Sequence, residues 1–90
     1  MLDKVKLSLR IKTNKLDIDI TDLIEEAKGD LKRVGIPEKI INKDDPLISR
    51  AIKLYCKANF GLENKDAEKY QKAYEMVRDE LSLCGDYNVE

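Results

Sequence analysis

Rotating successive residues by about 100° tests each stretch of the chain for a helical face. Between residues 17 and 34, Ile20, Leu23, Ile24, Ala27, Leu31 and Val34 gather within roughly 100° of arc, which predicts one amphipathic helix. Asp17, Asp19, Asp22, Glu25 and Glu26 crowd its first turns, and Lys32 and Arg33 sit in its last, so charge complements the helix dipole at both ends. Gly35 suits the residue just past the C-terminus. A second helix opens at Asp45-Pro46, an N-cap followed by a proline whose missing N–H costs nothing at the first helical position. From there to Phe60, Ser49, Arg50, Lys53 and Lys57 occupy only about 100° of the wheel and nearly everything else is apolar, which predicts a helix buried on most of its circumference at the centre of the fold. In a third segment, 66–84, Ala67, Tyr70, Ala73, Tyr74, Val77, Leu81 and Cys84 fall within about 120°, with Met76 and Leu83 opposite and Gly85 closing the helix.

The N-terminal stretch has two readings. Val5, Leu7, Leu9 and Ile11 alternate with Lys4, Lys6, Ser8, Arg10 and Lys12, and Leu16, Ile18 and Ile20 alternate after Thr13-Asn14-Lys15, the period of a β-hairpin. Leu2, Val5 and Leu9 also fit one face of a short helix. Breaks fall at 12–14, 35–45 and 61–65, and no repeat or low-complexity segment is present.

At 90 residues and 10.4 kDa the chain has the size of one small soluble domain spanning residues 1–90, with a core modest enough that self-assembly would add to its stability. A hydrophobic share of 42% excludes a fully disordered chain, and no apolar run is long enough to cross a bilayer. Lys4, Lys6, Arg10 and Lys12 interrupt the only stretch that could serve as a signal, so Cys56 and Cys84 are expected to be reduced cytosolic thiols. The net charge of -1 is a sum of uneven blocks: residues 1–13 carry +3, 14–30 carry -4, 31–43 carry +3, 44–60 carry +1 and 61–90 carry -4. A protein that coats nucleic acid clusters its positive charge instead.

The search for catalytic chemistry is negative. Without histidine, the Ser-His-Asp and Cys-His arrangements are absent. Gly29, Gly35, Gly61 and Gly85 are too widely spaced for a nucleotide-binding loop. Asp44-Asp45 and Asp17/Asp19 could bind a metal, but acidic residues at helix starts are expected for dipole reasons. Cys56 and Cys84 lie among apolar helix positions, as inert thiols do. Tyr55, Phe60, Tyr70 and Tyr74 could stack on bases, yet at helical spacing they read as core. No cofactor, metal ligand or catalytic residue is assigned, and an enzyme is not expected.

The run DPLISRAIKLYCKANFG at 45–61, followed by EKYQKAYE at 68–75 and LSLCGDY at 81–87, resembles the head-tail connector family of tailed phages and prophages. LDKVKLSLRI at 2–11 and DLIEEAK at 22–28 are similar to the same family, so the resemblance covers nearly the whole chain. Its strength lies in the order and spacing of these pieces. It implies an all-α fold, a small bundle of three main helices plus a short N-terminal helix over 1–10, with a long loop between the second and third helices. It also implies a structural head-completion protein that assembles under the portal after DNA packaging as a ring homo-oligomer, dodecameric on the portal, and extends the channel. Its implied partners are further copies of itself, the portal protein, a stopper or tail-completion protein, and genomic DNA passing through without sequence-specific binding. No membrane is involved. The implied location is the virion, at the head-tail interface, after synthesis in the bacterial cytoplasm. Gly29 departs from the family pattern, where a better helix former is usual.

Candidate contact residues follow from apolar groups outside the core stripes. Ile36, Ile40 and Ile41 fall in the connection bounded by Gly35 and Pro46, expected to order against a neighbour, and Leu83, Tyr87 and Val89 lie on or beyond the last helix. The alternative from another class is a DNA-binding regulator using 17–34 and 46–60 as a helix-turn-helix. A connection of about ten residues exceeds the usual three- or four-residue turn of that motif.

Overall fold

A computed structural model describes residues 2–43, 45–60 and 65–83. Among them the chain forms α1 (Leu2–Leu9), α2 (Asp17–Arg33), α3 (Glu38–Ile41), α4 (Pro46–Asn59) and α5 (Ala67–Leu83), with no strand. The fold is all-α.

The N-terminal alternation is resolved as a helix. Val5 is fully buried, with Leu2 and Leu9 packed beside it, while Leu7 points to solvent. A lone hairpin would have been marginal without further strands, whereas a helix can lay this one face on α2 and α4. Arg10 ends it in the left-handed region at φ 59, where its N–H donates to the Leu7 carbonyl and the N–H of Ile11 reaches back to that of Lys6. The Lys6 ammonium then spans the turn. It donates to Asn14 Oδ1 at 2.8 Å and pairs with Asp17 at 2.8 Å, tying α1 to the first turn of α2.

α2 buries the predicted stripe of Ile20, Ile24, Ala27 and Leu31. Gly35 follows with φ 104, and the bonds from Gly35 N to Lys32 O and from Ile36 N to Leu31 O close the helix while turning Ile36 back beside Leu31 in the core. The long loop expected after this point carries a helical turn. Pro37 starts α3, its carbonyl accepts from the N–H groups of Ile40 and Ile41, and the turn aims both side chains inward. Ile36, Ile40 and Ile41, expected to await a neighbour, are thus covered within the protomer. A chain this short has few large aliphatics to spare from its own core.

α4 begins as predicted, with the Asp45 carboxylate accepting from Leu47 N at 2.8 Å and Pro46 in the first turn. It packs against α1, α2 and α5 and buries Ile48, Ala51, Ile52 and Cys56. Ser49, assigned above to the polar arc, is buried as well, because it lies on the Cys56 side of the helix. The remaining polar arc is Arg50, Lys53 and Lys57. The connection through α3 and the cover on three sides of α4 differ from the tight-turn pair of a helix-turn-helix. α5 turns Tyr74 and Leu81 inward and leaves Met76 and Leu83 outside, as its wheel predicts. Cys84, Gly61, Gly85 and Asp44 lie outside the described residues.

Gly29 sits on the exposed side of α2 beside a cleft of about 310 Å³ between α2 and α3, and a Cβ added there meets nothing within 4 Å. Gly29→Ala should therefore raise stability by about 1 kcal/mol, since only the backbone entropy of glycine changes, and urea denaturation measures it. A lowered midpoint would show that the glycine is required by contacts within the fold.

Candidate assembly surfaces

The side chains that orient the outer surfaces meet at Asp30. This residue lies at the edge of the α2 stripe, 15% exposed, and receives three donors. The Tyr74 hydroxyl donates to Oδ2 at 2.5 Å, Arg78 Nη1 reaches the same oxygen at 3.3 Å, and Arg33 Nη2 donates to Oδ1 from one turn along α2. Tyr74 has no exposed surface, and its ring meets Tyr55 of α4 edge to face at 5.2 Å, with the Arg78 guanidinium 5.7 Å from its centroid. One carboxylate therefore links α2 to α5 across the aromatic side of α4.

Electrostatics follow from that geometry. Burial pushes the Asp30 carboxyl up, but the hydrogen bonds from Tyr74, Arg33 and Arg78 outweigh it and hold the group below its ordinary value. Burial, and then the bond to Asp30, push the Tyr74 hydroxyl far above the usual phenol range. Periodicity places Tyr74 on a core stripe, and a buried phenol requires a polar partner. That requirement, with Arg78 one turn further on, is the only signal in the sequence for this group; which acid answers it depends on how the helices pack.

With α5 held this way, one side faces out. Met76 is 66% and Leu83 85% exposed, seven residues apart on the same face, and beside Met76 runs a shallow depression of about 530 Å³ lined by Lys65, Glu68, Lys69, Lys72 and Ala73. Of the contact candidates drawn from the sequence, Leu83 is on this surface, and Ile36, Ile40 and Ile41 are in the core. Tyr87 and Val89 lie outside the described residues. The sequence reading did not single out Met76, Leu7 or Ile18 as contacts; all three are largely exposed. Among the described residues no group of three or more His, Cys, Asp or Glu could hold a metal, and no helix is long and apolar enough to cross a membrane.

A family profile described as phage connector protein matches residues 1–88. The chain belongs to that family. Connectors are structural, so the surfaces above are those of a virion component that associates with other phage head proteins. Neither a curated protein nor a solved structure matches the chain.

Two predictions follow from the interior of this connector. The Asp30 carboxylate adds stability above the ordinary carboxyl value of about 4 and loses it as pH falls through its lower folded value. Asp30→Asn should thus cost about 1–3 kcal/mol near neutral pH, and its gap to the parent protein in thermal midpoint should close progressively below about pH 4. A gap that does not change with pH would remove the charge from the account. The Cys56 thiol is buried, and burial, with Glu26 nearby, pushes it up to about 12. At neutral pH it should resist iodoacetamide in the folded protein and react once the protein is denatured, as read by peptide mass. Rapid labelling of native Cys56 would contradict its burial.

Proposed function

We propose that the chain is a head-completion adaptor that joins the portal after DNA packaging, assembles there as a closed ring, dodecameric on the portal, and extends the DNA channel toward a stopper or tail-completion protein. What supports this reading is the connector-family match over residues 1–88, which covers all five helices. The protomer is suited to the task. Most of its large aliphatics are used in its own core, so assembly draws on the few that remain outside, and a sparse set of that kind favours free subunits that associate weakly and gain further contacts on docking. Genomic DNA passes through such a ring without being read.

In this reading the Met76 and Leu83 face of α5 meets the portal, and Tyr87 and Val89 extend the same contact beyond the helix. Purified cognate portal particles should recruit the protein into a ring visible by electron microscopy. The Met76→Glu/Leu83→Glu variant should lower recruitment at least tenfold while circular dichroism stays helical, because both side chains are exposed in the protomer. Truncation after Gly85 separates the last residues from the helix face. Unchanged recruitment of both variants would remove this end from the docking surface, and failure of the parent protein to join portal particles would overturn the adaptor reading.

A further inference from the structure

Three exposed acids of α2, Asp19, Asp22 and Glu26, stand at positions i, i+3 and i+7. So do the three bases of the α4 polar arc, Arg50, Lys53 and Lys57. Each set falls within about 60° of its helix, and each spans about 10 Å along the axis. The two strips have the same spacing and opposite sign.

We propose that in the ring the acidic strip of α2 on one copy packs, parallel and in register, on the basic strip of α4 of the next copy. This rests on the adaptor reading and specifies which faces close the ring. Parallel packing is required because reversing one helix turns the spacing 3,4 into 4,3 and breaks the register.

Both strips are unfavourable in the isolated protomer. Asp19 with Asp22, Asp22 with Glu26, Arg50 with Lys53 and Lys53 with Lys57 are like charges three or four residues apart, each pair destabilising by about 0.2–0.5 kcal/mol. Some charged neighbours at this spacing are of opposite sign, as Lys72 with Glu68 and Arg33 with Asp30 are, while like pairs such as Lys28 with Lys32 and Glu75 with Asp79 also occur. α4 contains no acid at all between Pro46 and Asn59. Among the described residues, none of Asp19, Asp22, Glu26, Arg50 and Lys53 makes an ion pair, while the Lys57 ammonium is held 5.3 Å from the centroid of the Tyr70 ring.

Position suits a head-to-tail contact. α2 turns Ile20, Ile24, Ala27 and Leu31 toward the core it shares with α4 and leaves Asp19, Asp22 and Glu26 exposed, Glu26 close enough to α4 to act on the Cys56 thiol, while on α4 Arg50 is exposed and Lys53 and Lys57 are half-buried. A heterologous interface sets two such unlike faces of neighbouring copies against each other. Each has an exposed aliphatic at its edge, Ile18 at 78% and Leu47 at 43%, which supplies apolar contact around the charges.

Charge reversal tests the pairing. Asp22→Lys/Glu26→Lys and Arg50→Glu/Lys53→Glu should each remain helical by circular dichroism and each lose recruitment into portal-bound rings at least tenfold in low salt. Mixed in equal amounts, the two variants should recover rings, because every reversed face then meets its reversed complement around an even-numbered ring. Rings formed by the parent protein that survive either reversal, or a mixture that fails to recover them, would overturn the pairing and leave the adaptor reading standing. A parent protein that forms no ring on portals would remove the reading on which the pairing rests. An Arg50→Glu/Lys53→Glu variant that assembles normally but loses affinity for duplex DNA would overturn the pairing by assigning the strip to the channel DNA.

Discussion

The carboxylate of Asp30 is the point on which the arrangement of the bundle depends. Burial of apolar surface draws α2, α4 and α5 together and turns the apolar stripe of α5 inward, but it is non-directional and tolerates small rotations and slides within that stripe. Hydrogen bonds discriminate among them. The observed seating places the buried Tyr74 hydroxyl and the Arg78 guanidinium on the same oxygen of Asp30 while the Tyr74 ring meets Tyr55 edge to face. A shift that breaks these bonds while Tyr74 stays buried leaves the phenol without a partner, a loss of about 1–3 kcal/mol. The rotation chosen inside decides what is shown outside: with Tyr74 and Leu81 inward, Met76 and Leu83 must face solvent.

For a connector this division of labour is a consequence of size. A protomer with so little interior commits Ile36, Ile40 and Ile41 to its own core, through a single turn of helix. What remains for association is a sparse set of exposed aliphatics among many charges. Interfaces of that composition take their specificity from charge placement and, in the proposed ring, their strength from repetition.

Much of this could be read from periodicity, because an amphipathic helix advertises its buried face. Ile20, Ile24, Ala27 and Leu31, the inward Tyr74 and Leu81, and the Asp45-Pro46 start of α4 all follow from local pattern and capping chemistry. The N-terminus did not, since Val5 and Leu9 satisfy a strand and a helix equally, and the choice is made by what they pack on. α3 was hidden for a related reason: Ile40 and Ile41 are too few to define a period, and their burial follows from Gly35 turning the chain back over α2. Asp30 was indistinguishable from the other acids of its block because its role exists only once α5 lies across from it. Among the contact candidates, exposure separates Leu83 from the three isoleucines, and exposure is a tertiary property.

Charge placement also bears on which assemblies are avoided. A two-fold contact sets each surface patch against its own copy, so a dimer through α2 would oppose three acids to three acids, and a dimer through α4 three bases to three bases. Both are repelled. The proposed contact of α2 with α4 on the next copy opposes unlike charges, and a chain of copies joined this way keeps a free face of each kind at its ends. Such a contact propagates until rotation closes it, unless two copies return it to each other as a reciprocal pair. The same like-charge neighbours that weaken each helix in the protomer therefore disfavour dimers that set α2 on α2 or α4 on α4 and favour the proposed contact between unlike helices.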